Sequence, residues 1–110
     1  MDFDEYQKQA QKSVINHDDP LMDKTIWVLG IGGEAGQIVE KWKKIVAYEN
    51  GSLSKESKAE LAKEIGDVLW YLAALADSLG MSLQEIAEAN IEKVLSRKKR
   101  GVTKGKGDNR

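Results

Sequence analysis

The sequence contains no cysteine and only one histidine, His17, in 110 residues. Disulfide bonds, thiolate catalysis and metal sites built from clustered cysteine and histidine are therefore excluded. Long apolar runs are also missing: none approaches the roughly 18 residues of a transmembrane helix, and the first residues are acidic and polar, unlike a signal peptide. These absences predict a cytoplasmic protein without a membrane partner. We interpret His17 as a surface or capping residue rather than a catalytic one.

The chain also has no large excess of positive or negative charge, because 17 Lys and Arg residues nearly balance 18 Asp and Glu residues and leave a net charge of −1. This balance argues against a general nucleic-acid binder. Basic residues are concentrated in the glycine-rich segment 101–110, which is short and has no interleaved aromatics, so nucleic-acid binding ranks last among the functions considered. We predict one domain over residues 1–100, followed by this tail. A chain of this size has a small core, for which oligomerisation is a common remedy.

Helical periodicity and helix-end signals divide the domain into four segments. Pro20 ends the first segment, and Asp23 is the expected N-cap of the second. Gly80 and the capping box that begins at Ser82 separate the third segment from the fourth. The pattern predicts an all-α fold in which four helices form an antiparallel bundle. The predicted helices cover residues of about 2–17, 23–48, 54–80 and 82–100.

Three glycines, Gly30, Gly32 and Gly33, interrupt the second segment. Each glycine costs a helix about 1 kcal/mol relative to alanine. We therefore expect a kink, a break or a place where another part of the chain or a ligand comes close. A phosphate-binding loop is a poor alternative, because no strand precedes the glycines and no Gly-Lys-Ser/Thr follows them.

The third segment carries an apolar stripe with a polar row beside it, whereas a purely structural helix turns its carboxylates to open water. At about 100° per residue, this row includes Glu64 and Asp67. Glu34 and Gln37 hold the equivalent place beside the apolar face of the second segment. Antiparallel packing brings these four positions level to within about one turn, so we expect the four side chains to converge. The stripe itself consists of Leu61, Val68, Leu72, Leu75 and Leu79, with Ile65 close by.

Oxygen ligands alone favour a hard cation such as Mg²⁺ or Mn²⁺. Carboxylates on facing helices build such sites in helical bundles. Magnesium binds substrate phosphates and keeps waters, one of which it can activate for attack. A solvated helix face is the alternative interpretation of the same rows, and spacing alone does not decide between the two. The basic side chains that we expect near phosphates are Lys41, Lys44, Lys93 and Arg97.

Two stretches of the chain together resemble one known family. They are Gly33-Glu-Ala-Gly-Gln-Ile-Val-Glu40 and Glu64-Ile-Gly-Asp-Val-Leu-Trp-Tyr71. The sequence resembles the MazG-like nucleoside triphosphate pyrophosphohydrolases, whose signature is Glu-x-x-Glu, a spacer and Glu-x-x-Asp. The resemblance extends from Phe3-Asp-Glu-Tyr6 to the ending Gly107-Asp-Asn-Arg110. It implies an all-α bundle that forms dimers or tetramers and hydrolyses an NTP or dNTP to the monophosphate and pyrophosphate.

The resemblance also implies roles for individual residues. Glu34, Glu64 and Asp67 match the magnesium ligands and are the expected catalytic residues. Tyr71 matches a position near the site. The positions that match residues near the phosphates are Asn90, Lys93 and Arg97.

One position departs from the family signature, because Gln37 stands where the second glutamate is expected. An amide oxygen can ligate magnesium but supplies neither negative charge nor basicity. Glu40 does not replace it, because it lies about 60° from Gln37 around the helix. The leading hypothesis is a Mg²⁺-dependent nucleotide pyrophosphohydrolase. A catalytically impaired nucleotide-binding or regulatory oligomer is the alternative that Gln37 suggests.

Trp70 is the residue on which the sequence bases an oligomer. It projects about 160° away from the apolar stripe of its own helix, so we expect the core of one chain to leave it uncovered. A large aromatic in that position is typical of an interface anchor. We therefore predict at least a homodimer.

Overall fold

A computed structural model describes residues 1–110 of the chain. It contains four α-helices and no strands. The all-α prediction is confirmed. None of the helices combines the length and the apolar character that crossing a bilayer requires. The helices are α1 (Phe3–Gln11), α2 (Pro20–Glu49), α3 (Lys55–Ser78) and α4 (Leu83–Arg100).

The boundary between α1 and α2 differs from the prediction. Helix α1 ends at Gln11, about six residues early, where the Ser13 hydroxyl donates a hydrogen bond to the Ala10 carbonyl at 2.7 Å. Such a bond offers the backbone an alternative to the helical ladder. The N-cap of α2 is Asp19, which accepts hydrogen bonds from two backbone amides, and Pro20 takes the first helical position, where its missing N–H costs nothing.

Asp23, the expected N-cap, lies buried inside the first turns of α2 instead. Its carboxylate accepts a hydrogen bond from the His17 backbone N–H at 2.9 Å and contacts the His17 ring Nδ1 at 2.8 Å. These hydrogen bonds hold the pKa of Asp23 below its usual range. His17 is exposed and fastens the α1–α2 connection, in keeping with the surface or capping role expected for it.

Helix α2 runs without a break through all three glycines, so the expected interruption does not occur. The alternative expectation, a close approach, is observed at Gly30. The Tyr71 ring of α3 lies 2.2 Å from the point where a Cβ at Gly30 would be. Gly32 and Gly33 face open space. Only Gly30 is therefore required by the packing within one chain.

We expect Gly30→Ala to destabilise the fold by about 1–3 kcal/mol, because the added methyl group forces the Tyr71 ring to move in a packed contact. Gly36→Ala is the matched control, since nothing lies within 4 Å of its added Cβ. That variant should gain up to about 1 kcal/mol from helix propensity. Urea unfolding measures both. Equal shifts in the two midpoints would contradict the Tyr71 contact.

The contacts between α2 and α3 establish an antiparallel hairpin. Trp27 of α2 meets Trp70 edge-on at a centroid distance of 5.7 Å near one end, and Glu49 meets Ser57 at the other. Helix α1 packs on α3 and α4, and α4 contacts α3 but not α2. The predicted antiparallel arrangement of the second and third helices is thereby observed.

A small core joins α1, α3 and α4 around the Gln7 side chain. Ala10, Ala73 and Leu83 form the buried apolar cluster. The Gln7 amide lies among them: its Nε2 donates to the Met81 carbonyl at 3.0 Å, and its Oε1 accepts from the Leu83 N–H at 2.9 Å. A buried amide is tolerated when its donors and acceptors are paired in this way.

The three buried residues of α3 are all alanines, Ala73, Ala74 and Ala76. The predicted leucine stripe is only partly covered: Leu72 and Leu79 retain 38% and 51% of their surface, and Ile65 retains 59%. The core that α1 and α4 share with α3 is built on Ala73, whose small side chain permits close helix approach.

The expectation that Trp70 is left uncovered is wrong. Its side chain is half-buried against the core cluster, and its ring Nε1–H donates to the Ser13 hydroxyl at 2.8 Å. The premature end of α1 places Ser13 there. Trp70 is therefore a packing residue within the chain, and the apolar surface of α3 that stays exposed is that of Ile65, Leu72 and Leu79.

Candidate metal centre

Three carboxylates from α2 and α3 meet at the middle of the hairpin. Glu34, Glu64 and Asp67 each offer an oxygen, and the three oxygens all lie within 4.8 Å of one another. Glu34 and Glu64 are half-buried, whereas Asp67 is exposed. The register of the hairpin creates this cluster, because Glu34 lies one turn beyond Gly30 and its Tyr71 contact. The predicted convergence is observed for these three side chains.

The electrostatics of the cluster are those of negative groups crowded together. A hydrogen bond with Glu64, burial and the nearby Asp67 charge raise the pKa of Glu34. A raised pKa of this origin means that a second ionised carboxylate nearby is unfavourable. A cation would relieve the repulsion. The arrangement therefore suits a positively charged occupant bound by oxygen.

Gln37 lies one turn after Glu34 on α2 and is exposed. It lies on the same side of α2 as Glu34, because residues three apart in a helix are neighbours on its surface. The fourth predicted ligand is thus next to the cluster by helix geometry, and its coordination stays a prediction.

Two predicted phosphate-binding lysines belong to α2 and differ in their contacts. Lys41 reaches across to α3, where its Nζ lies 3.1 Å from Glu64 Oε1 and 3.6 Å from Glu60 Oε2. Lys44 pairs with Glu40 of its own helix at 3.7 Å. Both lysines line a small cavity of about 160 Å³, and Glu60 of α3 lines the same cavity. Lys41 is therefore part of the acidic cluster's surroundings, and Lys44 lies at its margin.

Tyr71 lies against α2 rather than in an open cleft. Its ring sits on Gly30 and makes an edge contact with Trp70 at a centroid distance of 5.0 Å. The contact fixes the register that brings Glu34 opposite Glu64. Packing is thus the observed role of Tyr71, and the predicted role near the substrate is not tested by these contacts.

The remaining predicted residues, Asn90, Lys93 and Arg97, lie on α4, and no ion pair connects Lys93 or Arg97 to the three carboxylates. Both cations bind Asp108 of the C-terminal tail instead. The Lys93 Nζ and the Arg97 Nη2 lie 3.3 and 3.2 Å from Asp108 Oδ1. These contacts hold the pKa of Asp108 below its usual range. Within one chain, no ion pair or hydrogen bond joins these three residues to the carboxylate cluster, and their place near the phosphates stays a prediction.

Asp108 and Arg110 are not among the predicted site residues. The Arg110 guanidinium donates to the carbonyl oxygens of Val102 and Thr103, at 3.0 and 3.1 Å, and folds the tail back onto itself. A single acidic residue in a basic segment is the signal that the sequence offers. Residues 101–110 are predicted only as a basic, glycine-rich tail, and the contacts of Asp108 with two cations on α4 anchor it.

Comparison with known proteins adds a family and two relatives. The family model described as the MazG nucleotide pyrophosphohydrolase domain matches residues 27–102. The Gene 37 protein of Mycobacterium phage L5 is 45% identical over 82 residues, which cover 74% of this chain and 72% of that protein. The uncharacterized protein YvdC of Bacillus subtilis (strain 168) is 38% identical over 72 residues, which cover 58% of this chain and 65% of that protein. No solved structure matches the chain.

Proposed function

The chain belongs to the MazG nucleotide pyrophosphohydrolase domain family, and from this premise we propose that it hydrolyses a nucleoside or deoxynucleoside triphosphate to the monophosphate and pyrophosphate. The observation that carries the proposal is the convergence of Glu34, Glu64 and Asp67 inside the region that matches the family. In the reaction, a water oxygen bonds to phosphorus, the bridging bond between the α- and β-phosphates breaks, and pyrophosphate leaves. The expected setting is the free nucleotide pool of the cytoplasm.

The donor set fits a magnesium ion, with manganese as a substitute. Glu34, Glu64 and Asp67 supply carboxylate oxygens, the ligands that hard cations prefer. The crowding of negative groups, which raises the pKa of Glu34, is the second sign of fit, because a bound cation would relieve it. When bound, the ion neutralises phosphate charge and makes a water more acidic. Gln37 is the proposed fourth, neutral donor.

The protein's own groups then have separate tasks. Glu34 lies opposite Glu64 and Asp67, and we assign it to hold the ion together with them. Glu64 is held in place by Lys41. Lys44 supplies positive charge at the margin for the leaving phosphates.

We further propose that the functional form is a homodimer or homotetramer. Only 10 of 110 residues are buried in one chain, which is too small a core to account for a stable fold unaided. Large apolar side chains also stay exposed on α3, namely Ile65, Leu72 and Leu79. A second copy would cover this face and would bring a second set of α4 cations, Lys93 and Arg97, to the assembly.

Light scattering at micromolar concentration should therefore return at least twice the 12.2 kDa chain mass. Leu72→Glu, a charge in the exposed stripe, should shift the protein toward monomer. Val28→Glu, at an exposed position on α2, is the control for surface charge. A monomeric parent would contradict the oligomer.

Product analysis over a panel of NTPs and dNTPs with Mg²⁺ tests the activity. We expect monophosphate and pyrophosphate in equal amounts. Diphosphate with inorganic phosphate would contradict the proposed bond cleavage. Nucleotide binding without any turnover would favour the alternative, an impaired nucleotide-binding or regulatory oligomer, for which the neutral Gln37 is the specific observation.

A further inference from the structure

Lys41 is the one basic side chain that enters the carboxylate cluster. It crosses from α2 to α3, and its ammonium lies 3.1 Å from Glu64 Oε1 and 3.6 Å from Glu60 Oε2. Its side chain is 30% exposed, against 60% for Lys44, three residues later, which pairs only with its own helix. Lys41 is therefore a fixed part of the cluster, whereas Lys44 is a surface residue.

The charge of the cluster changes when Lys41 is included. Glu34, Glu64 and Asp67 carry three negative charges when ionised, and the Lys41 ammonium in contact with Glu64 reduces this total to two. Glu60, the other partner of the ammonium, has a side chain that is 62% exposed and is not one of the three converging carboxylates. One divalent cation balances two charges. A second divalent cation would leave an excess of two positive charges at close range, where charge interactions are strong.

The geometry around Glu64 also favours a single divalent ion. Paired metal ions lie about 3.5–4 Å apart and share bridging oxygens. Glu64 is the carboxylate placed between Glu34 and Lys41, and its Oε1 is already in contact with the ammonium. A second ion on Glu64 Oε1 would lie beside the Lys41 ammonium, where two positive charges repel each other.

We propose that Lys41 takes the place of a second divalent cation, so that the centre binds one divalent ion per chain, and that it positions Glu64 for that ion. This inference rests on the proposed function, because it concerns the same site. Lys41 acts through Glu64 and is a positioning residue. An ammonium of fixed location supplies positive charge that does not depend on the concentration of metal.

Manganese binding without nucleotide tests the inference. We would count bound Mn²⁺ per chain by equilibrium dialysis and record its electron paramagnetic resonance spectrum for the parent and for Lys41→Met, which keeps the length of the side chain and removes its charge. The parent should bind one ion per chain. Lys41→Met should bind two and give the spectrum of an exchange-coupled pair.

Lys44→Met is the matched control and should bind one ion, as should the conservative variant Lys41→Arg. Helical circular dichroism confirms that each variant is folded. Two ions per chain in the parent, or one uncoupled ion at unchanged affinity in Lys41→Met, would overturn the role of Lys41. Absence of any Mn²⁺ from the folded parent would instead contradict the metal centre of the proposed function. Should Lys41→Met fail to fold, Lys41→Gln in the same two measurements decides the matter.

Discussion

Asp67→Asn is expected to lower metal affinity by about 10–100-fold and the turnover number by at least about 100-fold. The substitution keeps the shape of the side chain and removes one of three negative charges from oxygens that lie within 4.8 Å of one another. The loss should exceed any effect on folding. Asp67 is exposed, and its charge repels those of Glu34 and Glu64, so the free energy of unfolding should stay level or rise.

Calorimetric titration with Mg²⁺ and the initial rate of pyrophosphate release measure the two quantities. Asp77→Asn provides the control on the same helix, because Asp77 is exposed, bonds to Gln11 of α1 and lies outside the cluster. Equal metal affinity in the parent and in Asp67→Asn would remove Asp67 from the centre. An equal loss in both variants would show a general effect of charge on α3.

Gln37→Glu is expected to raise the pyrophosphohydrolase rate and to lower the Mg²⁺ concentration at half-maximal rate. The new carboxylate would lie one turn from Glu34 on the same face of α2 and would add a fourth negative charge next to the cluster. A general base contributes about 10²–10⁴-fold, so a gain of that order indicates that this position holds the proton-accepting group. A smaller gain that disappears at high Mg²⁺ indicates that the position only completes the coordination.

A metal titration of the initial rate distinguishes these outcomes. Gln9→Glu adds the same charge to the exposed surface of α1 and serves as the control. Identical rate and metal dependence in Gln37→Glu and the parent would show that Gln37 has no part in the site. The departure from the family signature would then be without consequence for this chain.

The correct predictions concern features that depend on residues close together in the sequence. Ser82 caps α4 by accepting a hydrogen bond from the Glu85 backbone N–H, as the capping box predicts. The convergence of Glu34 with Glu64 and Asp67 needed only the helical period and one antiparallel turn. The start of α2 was also within reach of such rules, because Asp19 followed by Pro20 is a stronger helix start than Asp23.

The errors concern contacts between segments that are distant along the chain. Leucines mark the apolar side of α3, yet the core that α1 and α4 share with α3 is built on Ala73. Trp70 was misjudged for the same reason, since Ser13 covers it from 57 residues away. Asp108 stands out as the one acid in a basic segment, but no local rule indicates that its partners are Lys93 and Arg97 on α4. Periodicity reveals the faces of a helix but not which neighbour covers each face.

The Gln7 amide is a buried polar joint between α1 and the turn that connects α3 to α4. It bonds to the backbone on both sides of the α3–α4 turn, at Met81 and Leu83, and breaking it leaves buried groups unpaired at a cost of about 1–3 kcal/mol. Helices α2 and α3 share a far longer contact. We therefore expect α1 and α4 to open by local unfolding before the α2–α3 hairpin does. Because all three carboxylates belong to the hairpin, the candidate metal centre would then lie in the part of the molecule that opens last.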